Sequence, residues 1–119
     1  VRLATYCGYP DAERDNRIME MNFGDWEMKS FDEISDPRLK EWYADYINVP
    51  ATNGESFAIQ YQRVASFLDE LKEKNYEKVA IFAHGGVLIC AQLYAGAIKQ
   101  EEAFSALTPY GGIIQLRLD

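Results

Sequence analysis

The most constraining feature of this sequence is the apolar run from Lys78 to Ala83, Lys-Val-Ala-Ile-Phe-Ala, which stops at His84-Gly85-Gly86. A short run rich in β-formers, with no polar alternation, suits a strand buried on both faces, as in a parallel sheet. The two glycines permit a close backbone approach, and helical spacing resumes from Val87 to Ile98. Strand, glycine turn and helix in that order belong to an α/β fold.

The flanking segments fit the same plan. Phe57, Tyr61, Val64, Leu68 and Leu71 recur at steps of four and three, which predicts a helix from about Phe57 to Lys74, stopped at Asn75. Asp36-Pro37 reads as a helix start, with Asp36 as N-cap and Leu39, Trp42, Tyr43 and Tyr46 following at helical spacing. Ser30-Phe-Asp-Glu33 fits a capping box opening a short helix. The opening VRLATYCGYP reads as the end of a helix stopped by Gly8. From Gly112 to Leu118, Ile114, Leu116 and Leu118 alternate with Gln115 and Arg117, a strand with one buried face. No linker or repeat divides the chain, so residues 1–119 form one domain.

Composition removes several classes of function. With 12 basic against 19 acidic residues and a net charge of −7, nucleic acid is not the expected partner. No apolar stretch approaches the ~20 residues that cross a bilayer, so no membrane is expected either. Cys7 and Cys90 lie in no zinc-ligand spacing, and they read as reduced, buried thiols of a cytoplasmic protein. His84 is the one histidine of 119 residues, which excludes any two-histidine mechanism within one copy of the chain.

Two positions carry chemistry. His84 stands at the carboxyl end of the expected strand, where ligands of open α/β sheets bind, and the next helix offers unpaired N–H groups to an anion. Glu20 lies in Arg17-Ile-Met-Glu-Met-Asn-Phe-Gly-Asp-Trp-Glu27, where Met and Phe side chains would desolvate a carboxyl and suit it to act as a general acid. Read without other help, Glu20, Asp25 and Glu27 are more simply solvated loop charges, and Trp26 and Trp42 are packing residues.

Together RIMEMNFGDWE, the NGESF loop, LATYCG and VAIFAHGGV resemble the histidine phosphatase superfamily, related to cofactor-dependent phosphoglycerate mutase, over essentially the whole chain. Within it, Trp42, Asp45 and the loop from Pro50 to Ser56 are most similar to the alpha-ribazole phosphatases of cobalamin synthesis. The resemblance implies a three-layer α/β sandwich with a mostly parallel sheet, and phosphomonoester hydrolysis through a phosphohistidine. It implies Glu20 as proton donor to the leaving alcohol, His84 as the histidine that stabilises the phosphoryl group, and Gly85 as a backbone donor to that group. It calls for no metal or organic cofactor, and for a small phosphate ester as partner.

The family's opening strand with its Arg-His-Gly nucleophile motif, and its Ser-x-Leu-x-Arg-Ala segment, have no counterpart here. Arg2 does not replace the second arginine, because LATYCG matches residues about two helical turns beyond it. The expectation is therefore a domain incomplete at its N-terminus and lacking the first strand, inactive alone. Such a chain would form a homo-oligomer or strand-exchanged dimer, or pair with the missing N-terminal segment.

Three other readings stand beside this one. A phosphoglycerate mutase-like or broad-specificity phosphatase would share these motifs. A non-catalytic phospho-ligand-binding module accounts for the absent nucleophile, but has no need of Glu20. An α/β-hydrolase would explain His84-Gly-Gly and Gly54-Glu-Ser56, but the order is reversed and Ala58 stands where that motif needs glycine.

Overall fold

The longest helix begins where Ser56, in an extended backbone conformation, accepts a hydrogen bond on its hydroxyl from the Ile59 N–H at 3.2 Å. In the computed structural model, which describes residues 2–103, 105, 107–109 and 111–118, this helix runs over Phe57–Glu73. Among the described residues it is the third of four α-helices: α1 (Arg2–Tyr6), α2 (Arg38–Ala44), α3 and α4 (Gly85–Tyr94). Single 3-10 turns at Asn16–Ile18, Gly24–Trp26, Phe31–Glu33 and Gln100–Glu102 punctuate the loops.

α3 packs on α4 and on the turn at Asn16–Ile18. The core between them holds Met21, Phe57, Val64, Leu68, Val87, Ile89 and Cys90. Burying each large apolar side chain contributes about 1.5–3 kcal/mol, which makes this pairing the main source of stability. A second, smaller core joins Trp26, Trp42 and Ala51, with the two indoles edge to face at 6.0 Å.

Several expected boundaries hold closely. α3 ends at Glu73 and Asn75 takes a left-handed φ of +54°; Gly8 follows α1 with φ +96°. Asp36 accepts from the Arg38 N–H at 2.9 Å, so it caps α2 although the helix opens at Arg38. Trp26 and Trp42 are packing residues, both buried. The capping box at Ser30 is not formed: the Ser30 hydroxyl donates to the Glu33 carboxylate itself, and only a 3-10 turn results. Cys90 is buried but Cys7 is exposed.

The α/β sandwich with its mostly parallel sheet requires correction. The described residues are helices, turns and irregular segments, with no strand among them. A strand is stable only when a neighbour about 4.8 Å away takes up its N–H and C=O groups. No described segment pairs in this way with residues 78–83, and Val79 and Ile81 stand 47% and 37% exposed. The alternation read at 112–118 survives as burial alone: Ile114, Leu116 and Leu118 are half-buried while Ile113, Gln115 and Arg117 face out. Both segments border a cleft of about 540 Å³, whose other walls are Val64 and Leu68 of α3 and Val87 and Ala91 of α4. Apolar side chains thus find a partially buried face without a ladder.

Candidate active site

The segment carrying Glu20 has no regular structure, and its shape is imposed by three fixings. Asp15 caps the 3-10 turn by accepting from the Arg17 N–H at 2.8 Å, while the Arg17 guanidinium pairs with Asp15 and Glu70, each at 2.7 Å. Further along, the chain at residues 22–25 lies against the loop at 52–55. The Glu55 N–H donates to the Asn22 carbonyl at 2.7 Å and the Asp25 N–H to the Thr52 carbonyl at 2.9 Å. Gly24 and Gly54 allow this approach. A Cβ on Gly24, where φ is +56°, would run into the Thr52 carbonyl oxygen, and one on Gly54 would run into that of Asn22.

The third fixing is Arg63, which projects from α3. Its Nε and one terminal nitrogen donate to the two Glu55 carboxylate oxygens at 2.9 and 2.8 Å. The same guanidinium donates to the backbone carbonyls of Arg17, Met19 and Glu20 at 2.9, 2.6 and 3.2 Å. All five donors of the fork are used. Arg63 beside it holds the Glu55 carboxyl below the usual carboxylate range, and Glu55 in turn raises Arg63.

So fixed, Glu20 directs its carboxylate at the start of α4. Oε1 accepts from the Met21 N–H at 2.9 Å and from Gln60 Nε2 at 3.0 Å; Oε2 accepts from the Gly86 N–H at 3.2 Å. Gly86 is a required partner, because a Cβ there would overlap Glu20 Oε1. His84 is the N-cap of α4, with extended backbone and an exposed side chain, and its carbonyl accepts the first helical bond from Leu88 at 3.0 Å. Gly85 is the first residue of α4, where a backbone N–H has no helical acceptor.

Glu20, His84 and Gly85 therefore meet at one helix N-terminus, although Glu20 and Gly86 lie 66 residues apart. The arrangement can hold an anion by backbone donors and the positive helix end, with a carboxyl group alongside. Asp25 and Glu27 take other parts: Asp25 accepts from Asn53 at 3.0 Å, and Glu27 from the Phe23 N–H at 2.8 Å. Burial pushes the Cys90 thiol up to about 12, so it stays protonated and is no nucleophile. Among the described residues no group of three or more His, Cys, Asp or Glu could hold a metal ion, and no helix is long and apolar enough to cross a membrane.

Sequence reasoning missed Arg63, Glu55 and Gln60. A signal existed for Gln60, a polar residue on the apolar face shared by Phe57 and Val64 and fully buried. For Arg63 no local pattern sufficed, because its acceptors are backbone carbonyls 43 to 46 residues away.

The family model of the histidine phosphatase superfamily (branch 1) matches residues 2–119. "Putative phosphoserine phosphatase 2" of Hydrogenobacter thermophilus is 28% identical over 108 residues, covering 88% of this chain and 53% of that protein. The adenosylcobalamin/alpha-ribazole phosphatase of Escherichia coli is 36% identical over 75 residues, covering 60% of this chain and 37% of the relative. The chain thus spans about half or less of the curated relatives it matches. Among solved structures, the alpha-ribazole phosphatase of Shigella flexneri superposes with a TM-score of 0.73 at 27% identity, over 90% of this chain and 55% of that one. With the match running nearly end to end and Glu20 brought to the turn at His84, the chain belongs to the histidine phosphatase superfamily, branch 1.

Proposed function

We propose that this chain carries the proton-donating and phosphoryl-holding part of a phosphomonoesterase that works through a phosphohistidine, with alpha-ribazole 5′-phosphate as the leading substrate. The observation that supports the reading most is the Glu20 carboxylate at the α4 N-terminus, bonded to the Gly86 N–H beside His84 and Gly85.

In this reading the His84 imidazole and the Gly85 N–H bind the phosphoryl oxygens, and the helix end lowers the energy of their charge. The chain's single histidine is occupied in that role. Attack on phosphorus therefore falls to a second histidine outside these 119 residues. As the P–O bond to the alcohol breaks, the Glu20 carboxyl gives its proton to the departing oxygen. Water then attacks the phosphohistidine and returns a proton to the Glu20 carboxylate, which restores the acid.

The substrate assignment draws on the names of the E. coli and Shigella relatives, while the Hydrogenobacter name points to phosphoserine. The test measures hydrolysis of alpha-ribazole 5′-phosphate, phosphoserine and 4-nitrophenyl phosphate by the product of the whole reading frame, with the 119-residue chain assayed in parallel. The proposal expects an acid-labile phosphoenzyme and turnover from the former, highest on alpha-ribazole 5′-phosphate, and none from the latter. Phosphate binding without turnover by the whole product would refute it and identify a binding module.

A further inference from the structure

Gln60 is buried on α3 with 0% exposure, and Val64 and Leu68 follow it on the same buried face. It meets Glu20 in an unequal way. Its Nε2 donates to Glu20 Oε1 at 3.0 Å, while its Oε1 has no hydrogen-bond partner among the described residues. A buried amide oxygen left without a donor costs free energy, so general packing does not explain a glutamine here. The amide is held for its N–H on the Glu20 carboxylate.

The consequence follows from counting lone pairs. A carboxylate has about four acceptor sites, two on each oxygen. Both sites on Oε1 are filled, by Met21 N–H and by Gln60 Nε2. Among the described residues Oε2 accepts a single bond, from the Gly86 N–H, which leaves one of its sites open to them. We infer that Gln60 is a positioning residue that, together with the Met21 N–H, fills Glu20 Oε1 and so confines the transferable proton to Oε2, the oxygen facing the start of α4. The inference rests on the reading of Glu20 as the proton donor. It adds which oxygen carries the proton and what keeps it there. On delivery the Oε2–H bond breaks and an O–H bond forms on the leaving alcohol; the water that completes the cycle re-forms Oε2–H.

The test needs no turnover, so it can fail separately from the phosphatase reading. Amide proton shifts of Met21 and Gly86 are followed by ¹⁵N–¹H NMR while Glu20 is titrated. Arg63 and Cys90 are linked electrostatically to Glu20, with Glu55 paired to Arg63, and His84, two residues before Gly86, is a further ionisable neighbour. The Glu20→Gln variant therefore serves to identify which change belongs to Glu20. Protonation at Oε2 neutralises the whole carboxyl group, so the bonds from Met21 and Gly86 both lose charge assistance; the Gly86 bond weakens more, because it is left on a hydroxyl oxygen while Oε1 becomes the carbonyl. The Gly86 proton should therefore move upfield further than that of Met21. In Gln60→Met, which keeps side-chain volume and removes the unpartnered oxygen, a site opens on Oε1 and the two shifts should become comparable. Equal shifts in the wild-type chain, or a larger shift at Met21, would overturn the inference even if the variant failed to fold. An unchanged ratio in a folded Gln60→Met would overturn it as well.

Discussion

Removing Arg63 should destabilise the chain well beyond an ordinary surface change, and the structure sets the size of the loss. Arg63→Met keeps the aliphatic stem in place and deletes five hydrogen bonds, two to Glu55 and three to the carbonyls of residues 17, 19 and 20. The pair is largely enclosed, with side-chain exposures of 20% and 18%. Breaking a fully buried pair costs about 3–5 kcal/mol, because the abandoned charge remains desolvated. Partial access of water to Glu55 and to the freed carbonyls places this case at the lower end, about 3 kcal/mol. Arg63→Lys keeps the charge but loses the fork, and about half that loss is expected. Urea unfolding followed by circular dichroism measures both, and an unchanged m-value confirms that the native and denatured states are otherwise alike. A loss under about 0.5 kcal/mol for Arg63→Met, the size of an ordinary surface change, would refute the view that this side chain holds the Glu20 segment.

Further outcomes follow from the same contacts. The folded Glu55 carboxyl lies below its ordinary value of 4.5, chiefly through Arg63, so its contribution is present above that pH and lost as pH falls through the folded value. Urea midpoints at about pH 6 and about pH 3 should differ less in Glu55→Gln than in the natural chain. Gly24→Ala combines a left-handed backbone with a clash against the Thr52 carbonyl. It should cost about 2–3 kcal/mol in the same unfolding assay. Gly86→Ala should leave α4 helical by circular dichroism, since no left-handed φ is involved, yet displace Glu20. Its signature is loss of the Glu20-dependent titration at the residue 86 amide with little change in the unfolding midpoint.

Helices were legible wherever one face alone had to be buried. Phe57, Val64 and Leu68 recur at a helical period, and their positions in α3 match that reading. The run at 78–83 departs from the strand expected there for a reason of another kind. An apolar run states that a segment can be buried, whereas a ladder also depends on what lies alongside, and no periodicity within the run encodes its neighbour. The same limit applies to the site. Glu20 and Gly85 take their proposed roles from the resemblance to a family, since each alone looks like a loop charge or a turn, whereas His84 also stands out by its place before two glycines and a helix. Gln60 and Arg63 act across 40 or more residues, and only the packing of α3 against the Glu20 segment reveals them.

If Glu20, held at the α4 N-terminus, protonates the leaving oxygen, the identity of the leaving group decides how much its loss matters. The most direct test compares Glu20→Gln with the natural protein, each as the product of the whole reading frame, on an alkyl phosphate and on 4-nitrophenyl phosphate. An alkoxide needs protonation to depart, whereas nitrophenolate hardly does. With Glu20 as the acid, kcat should fall by about 10²–10⁴ on the alkyl ester with only a small change on the nitrophenyl ester. Equal falls on both would contradict that role.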